Sequence, residues 1–301
     1  MFSSVTIKQI ATEVGFDLCG IAKCRNFPIN ESAYKLWLDK GYDSTLHYMR
    51  NHMDKRFDVQ ALVDGAKSVV VCAVSYKSQI SGGYGEYDNT RIASYACVDD
   101  YHKTLRKMLL SLQKELLQID PALQSRAFVD TAPLLEKQYA VEAGLGWIGR
   151  QSLLITPQYG SYVLLGELVI DKEVDAYDEP MKNVGCGICR RCMDACPTGA
   201  IVDPMVIDTT RCISCHTIEA EHSYELEQYG WIFGCEECQN VCPYNKRAAE
   251  HRNHKFDPLF DPREIKADEW LKMGEEEFAE RFGRTPLKRS GLQRIKRSIK
   301  I

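Results

Sequence analysis

The chain has 301 residues, enough for one large core or two domains. Its 45% hydrophobic and 27% charged residues are the proportions of an ordinary globular protein. The net charge of −4 excludes a globally basic nucleic-acid binder but leaves room for a local basic patch, and no apolar run approaches the roughly 20 residues of a membrane helix.

In chain order, MFSSVTIKQIATEVGF (1–16) reads as an amphipathic helix without the basic region or continuous apolar stretch of a secretory leader. FDLCGIA (16–22) and KSVVVCAVSY (67–76) read as strands. Across 99–119, Tyr101, Leu105, Met108, Leu109, Leu112 and Leu116 fall on one helical face. RAFVD (126–130) is a short strand, and PLLEKQYAVEAG (133–144) is a helix with Pro133 in its first turn and Gly144 at its end. SLLITPQYGSYVLLGELVI (152–170) reads as two strands around a Pro/Gly turn. This alternation is that of an α/β domain. The expected fold class is α+β or α/β in three parts: an α/β domain at 1–175, a ferredoxin-like cysteine-rich domain at 176–255 and a helical basic tail at 256–301.

Of 13 cysteines, nine lie between 186 and 242. A secreted disulfide scaffold is usually shorter and has an even count, so these thiols point to metal binding in a reducing cytoplasm. Cys186, Cys189, Cys192 and Cys196, followed by Pro197, have the spacing of a bacterial two-cluster ferredoxin. Three thiolates wrap one 4Fe–4S cubane while the fourth leaves for a second cluster. Cys235, Cys238 and Cys242, followed by Pro243, form the returning half. Cys242 then completes the first cluster, and Cys196 joins Cys235 and Cys238 in the second. Spacing leaves Cys212 and Cys215 as candidates for the eighth seat, with Cys212 favoured. A pair of zinc sites is the competing reading, although zinc knuckles do not require CxxCxxCxxxCP. An α/β domain preceding the clusters implies that the electrons are delivered to something held there, rather than that the chain is a plain electron carrier.

VDTAPLLEKQYAVEAGLGWIGRQSLLITPQYGSYVLLGELVID (129–171), the double cysteine motif, RCIS (211–214) and WIFGCEECQNVCPYN (231–245), together with KRFDVQALVDGAKSVVV (55–71) and DDYH (99–102), resemble the epoxyqueuosine reductases. The resemblance implies a cobalamin enzyme with two 4Fe–4S clusters, similar in cofactor architecture to the reductive dehalogenases. It would reduce epoxyqueuosine to queuosine at the wobble position of tRNA. An external low-potential donor would feed the clusters, cobalt would act on the epoxide, and the oxygen would leave as water. The resemblance further implies Asp130 as proton donor beside the cobalt and Arg56 as a corrinoid contact. The backbone near Leu154 and Leu165 would line the corrin, and Ser214, Cys235 and Glu236 would lie between cofactor and second cluster. It settles the eighth seat on Cys212. The sequence departs from the family at Cys215, at Val98, where glycine is expected before DDYH, and in having no counterpart of the helical repeats of longer members. A small-molecule dehalogenase is the alternative enzyme. A monomer is expected.

Read without the resemblance, Asp130 is a helix N-terminal residue and Arg56 a surface charge. His102 is then a solvent-facing first-turn residue, and Glu136 and Glu142 are helix-surface carboxylates. Cys19, Cys24, Cys72 and Cys97 are small buried hydrophobes. His102 is not read as a cobalt ligand, because DxHxxG breaks at Leu105. In the tail, Arg281, Arg284, Lys288, Arg289, Arg294, Lys296, Arg297 and Lys300 fall in a stretch without an acid, suited to tRNA phosphates. The competing reading of this stretch is a frayed terminus.

Overall fold

The computed structural model describes residues 2–43, 46–85, 90–219 and 226–299. Helix α1 (Ser4–Val14) is capped by the Ser3 side chain and ends at the left-handed Gly15. It leads into strand β1 (Leu18–Lys23), helix α2 (Pro28–Asp39), the single turn α3 (Met53–Arg56) and strand β2 (Ser68–Ser75). Strand β3 (Arg91–Ile92) precedes α4 (Tyr101–Ile119), β4 (Ser125–Phe128), α5 (Glu136–Glu142), β5 (Trp147–Ile148), β6 (Leu154–Ile155) and β7 (Val163–Ile170).

The central sheet has the order β1-β2-β7-β4 with every pairing antiparallel. Of the two expected classes this is α+β, since an α/β fold would carry a parallel sheet. Alternation along β2 and β7 divides their side chains between two cores. Val70, Cys72, Leu168 and Ile170 meet α1 and α4 on one face. Val69, Val71, Val169 and partly buried Leu165 meet α5 on the other. On α4, Leu105, Met108, Leu109, Leu112 and Leu116 are buried as the periodicity predicts.

Two elements depart from expectation. The helix expected from 133 begins at Glu136, because Ala132 precedes a proline, which disfavours helical backbone there, and Leu134 donates instead to the Ala132 carbonyl at 2.8 Å. The two strands of 152–170 do not pair with each other: β6 pairs with β5, and β7 enters the centre of the sheet.

The cysteine-rich part comprises α6 (Arg191–Asp194), the hairpin β8 (Ile201–Asp203) and β9 (Val206–Ile207), α7 (Ile213–Ile218), β10 (Trp231–Phe233), α8 (Glu237–Asn240) and α9 (Pro243–Arg247). The tail forms α10 (Ala267–Lys272), α11 (Glu275–Phe282) and α12 (Leu287–Ser298), the last broken at Gly291 with φ +72°. Leu287, Leu292, Ile295 and Ile299 are buried in a third core with Ile92, Ala96, Cys97 and Phe233. The tail is therefore a packed structural element and not a frayed end. Among the described residues no helix is long and apolar enough to cross a membrane.

Candidate active site

Asp130 leaves β4 two residues after Phe128 and adopts φ +57°. It does not cap α5, whose N-terminus carries no side-chain cap. Its Oδ2 instead accepts the Tyr101 hydroxyl at 3.2 Å and lies 3.2 Å from His102 Nε2. His102 Nδ1 lies 2.8 Å from Asp100 Oδ1, and Asp100 also caps α4. His102, expected to face solvent, is thus held between two aspartates and stacked on Tyr101 at 4.0 Å. The His102 hydrogen bond holds the Asp130 carboxyl below its ordinary range, against the upward push of burial. Burial lowers the His102 imidazole, but its hydrogen bonds to Asp130 and Asp100 outweigh this and hold it above its usual value. The proton of this set therefore rests on the imidazole. The Asp130 side chain is 50% exposed while protein mass around it still desolvates it.

Two acids read as surface residues are withdrawn from water. Glu142 is buried and ion-paired with Arg25. Glu136 accepts the Asp130 main-chain N–H at 2.6 Å, and burial together with the Asp130 charge pushes its carboxyl up to about 7. It meets Glu167, a β7 residue that the sequence does not single out.

The expected cofactor contacts come from several elements. Leu154 and Leu165 share the apolar cluster of Phe128 and Leu134 beside the Asp130 turn. Arg56 ends α3 with its guanidinium 5.3 Å from the Tyr34 ring centroid, and its buried Nε has no protein partner among the described residues. Glu236 is buried and accepts the Ser94 N–H at 2.8 Å and hydroxyl at 2.7 Å, while its Oε2 lacks a partner. Burial pushes this carboxyl up to about 7. Buried polar atoms are ordinarily satisfied, so the orphaned Arg56 Nε and Glu236 Oε2 are of the kind a large amphipathic cofactor such as cobalamin would satisfy.

The thiols fall into two neighbouring sets. Cys192 senses Cys186 and Cys242, and the Cys189 N–H donates to the Cys186 carbonyl at 3.1 Å. Cys235 senses Cys238 and Cys212, Cys212 senses Cys196, and Cys238 senses Cys212, Cys192 and Cys196. Burial raises the Cys235 and Cys238 thiols, a penalty that iron ligation removes by taking the thiolate directly. The main-chain N–H groups of Cys215 and Ser214 face the Cys212 sulfur, and the Ala200 N–H donates to Cys196 Sγ at 3.2 Å. Such bonds tune cluster potential. Cys215 is buried on α7.

Five of the tail cations are engaged, three with the body and two within the tail. Arg289 pairs with Glu219 at 2.8 Å, Arg284 with Asp99 at 2.6 Å, and Arg281 with Glu269 and Glu277. Arg294 donates to the Ile218 carbonyl and Lys296 to that of Met273. The Asp100 N–H donates to the Arg284 carbonyl at 2.8 Å, and the Arg289 charge reaches Asp130. Lys300 lies outside the described residues.

Comparison with known proteins bears on this arrangement. Residues 56–131 match the family model described as epoxyqueuosine reductase QueG, DUF1730, and residues 185–245 match a 4Fe-4S double cluster binding domain. The epoxyqueuosine reductase of Cyclobacterium marinum is 40% identical over 97% of this chain and 94% of its own, and that of Pseudomonas aeruginosa is 35% identical over 98% and 83%. A crystal structure of epoxyqueuosine reductase with an epoxyqueuosine-modified tRNA-Tyr stem loop superposes with TM-score 0.86 at 28% identity, covering 98% of this chain and 79% of that one. A Bacillus subtilis structure, also at TM-score 0.86, 28% identity and the same coverage, has its catalytic aspartate loop swung out of the active site.

Proposed function

The chain belongs to the epoxyqueuosine reductase family, which reduces epoxyqueuosine to queuosine in tRNA, and we propose that Tyr101, His102 and Asp130 deliver the protons of that reaction. The observation that carries this reading is the carboxylate of Asp130, half-exposed and backed by a phenol and an imidazole. Loss of an epoxide oxygen as water takes up two electrons and two protons. Asp130 faces the substrate and hands over a proton, and the His102 imidazolium reloads it. The stored proton sits not on Asp130 itself but behind it, on His102, where its pKa suits neutral pH.

Cobalamin, when bound, supplies the reducing centre for the epoxide. Arg56 and Glu236 offer unmatched polar atoms to its edge, Leu154 and Leu165 an apolar wall, and Ser214 and Cys235 a join to the second cluster. Cys186, Cys189, Cys192 and Cys242 hold one cluster, and Cys196, Cys212, Cys235 and Cys238 the other. Electrons enter from an external low-potential donor over the first cluster loop, where Ile188 is 98% exposed. Beside it a cavity of about 590 Å³ is lined by Arg191, Asp194, Ala195, Asn240, Val241 and Lys246, several of them next to cluster ligands. The tRNA anticodon stem-loop lies across the tail and presents its wobble base, unstacked, to Asp130. The enzyme acts as a cytoplasmic monomer. Neither a carrier role nor a small-molecule substrate accounts for full-length likeness to tRNA-modifying relatives.

The test is anaerobic reconstitution with cobalamin followed by mass analysis of nucleosides from epoxyqueuosine-containing tRNA. Asp130→Asn should keep both clusters and bind cobalamin, yet turn over about 10²-fold or more slowly, the usual loss for a positioned acid. Turnover near that of the wild type would remove Asp130 from the reaction.

A further inference from the structure

One pair of acids has no part in this proton delivery. Glu167 stands in the middle of β7, registered between Val71 of β2 and Phe128 of β4, and is 0% exposed. Neither of its oxygens meets a donor among the described residues apart from the carboxyl group of Glu136. A lone ionised carboxylate is not sustained in such a place. Two carboxyls in contact share a proton instead of both ionising. Glu136 Oε1 accepts the Asp130 N–H at 2.6 Å, a bond that favours the charged form of Glu136. The shared proton therefore lies on Glu167, whose O–H donates to Glu136.

What this pair grips is the least relaxed piece of main chain in the site. Asp130 has φ +57°, the left-handed region that side chains other than glycine resist. It is the central residue of one tight turn, Thr131 N–H to Val129 O at 2.6 Å, and a second follows, Leu134 N–H to Ala132 O at 2.8 Å. A segment in this conformation needs an external hold on its backbone, and the Glu136 carboxylate supplies one.

We propose that Glu136 and Glu167 are positioning residues, a clasp closed by one shared proton that fixes the main chain of Asp130 and opens when that proton is lost. The charges facing the clasp agree. Asp130 and Lys137 face Glu136, and Asp130 faces Glu167, while the Cys72 thiol, itself beside Cys19, lies across the sheet from Glu167. Lys137 is turned to the Ser152 carbonyl at 2.7 Å. Without the proton, Asp130, Glu136 and Glu167 become three mutually repelling carboxylates. Burial pushes Glu136 up to about 7 and raises Glu167 well above its ordinary value, which puts opening on the alkaline side of neutrality.

The inference rests on Asp130 being the proton donor, but its test does not use turnover, so the two can fail separately. Amide hydrogen exchange of the 129–135 segment in the full cluster-loaded chain, corrected for intrinsic base catalysis, is compared at about pH 6 and pH 9. The wild type should lose protection about tenfold or more between them. Glu167→Gln should stay protected at both, because an amide donates to Glu136 and cannot ionise. Glu136→Ala should be unprotected at both. Near pH 6 the wild type minus Glu167→Gln infrared difference should show the band of one protonated buried carboxyl, over and above the Glu236 carboxyl common to both proteins. The proposal is overturned if wild type and Glu167→Gln share one pH dependence of protection, or if that difference band is absent. Should Glu136→Ala fail to fold, those two measurements decide the matter.

Discussion

Changing Lys288 and Arg297 together to alanine should lower the slope of log affinity for the tRNA stem-loop against log salt by about 1.4–1.8, at roughly 0.7–0.9 for each neutralised phosphate. The structure selects this pair. Arg289 is neutralised by Glu219, Arg284 by Asp99 and Arg281 by two glutamates, so transfer of any of these to a phosphate would strand an acid. Arg294 holds the end of α7 through the Ile218 carbonyl, and its loss should weaken the fold. Lys288 and Arg297 are exposed and have no ion pair among the described residues. If Lys288, Arg289, Arg294 and Arg297 all met phosphate, the fourfold alanine variant would lose about 2.8–3.6 in slope; we expect half of that. The assay is stem-loop binding titrated from about 50 to 200 mM salt, where such contacts dominate, with iron content and cobalamin binding as controls. An unchanged slope in the double variant would place the RNA surface elsewhere. A loss near 3 in the fourfold variant would mean that the Glu219 pair opens on binding.

Three further outcomes are expected. Anaerobically prepared protein should hold about eight irons; Cys212→Ser should lose about four and Cys215→Ser none, and the reverse pattern in iron and acid-labile sulfide analysis would overturn the seat assignment. His102→Gln should move the alkaline limb of kcat to lower pH, because the proton store is then the Asp130 carboxyl alone rather than an imidazole held above its usual value; an unmoved limb in a pH–rate profile would refute this. Between about pH 5 and 7 the folded Glu136–Glu167 pair keeps a proton that the unfolded chain has released, so stability should fall as pH rises, by up to about 1.4 kcal/mol per pH unit. Glu167→Gln should lack that slope in denaturant titrations, and equal slopes would count against a shared proton.

What could be read from the sequence followed the distance over which each signal acts. Cubane ligation is written into spacings of two and three residues, so seven of the eight expected ligands could be named before any fold was known, whereas the eighth, set apart by a long excursion, stayed open between Cys212 and Cys215 until the family resemblance chose Cys212. The α4 face was equally clear, because helix period and burial are local. The Asp130 turn was ambiguous, since a strand–turn–helix junction carries the same residues whether its aspartate caps a helix or faces a cleft. Its partners come from afar: Tyr101 and His102 lie 29 and 28 residues away, and Glu167 sits in a strand whose apolar neighbours conceal it. The tail charges could be counted, but their partners Asp99, Glu219 and Glu269 are spread along the chain, so a run without acids looked freer than it is.

The third core has a consequence for the order in which the molecule can be completed. Residues 92–97 pack against 232–299, and the turn carrying Tyr101 and His102 is tied to Arg284 through both Asp99 and Asp100. A chain made from its N-terminus at roughly 5–20 residues per second has its Asp130 strand in place many seconds before the segment that steadies His102 exists. During that interval Cys186, Cys189 and Cys192 also wait for Cys242. The hold on His102 beside Asp130 and the gathering of Cys242 with Cys186, Cys189 and Cys192 are therefore finished in the same late phase of synthesis, after the central sheet, so that a polypeptide released early would have Asp130 without its steadied partner and the first thiol set without its fourth member.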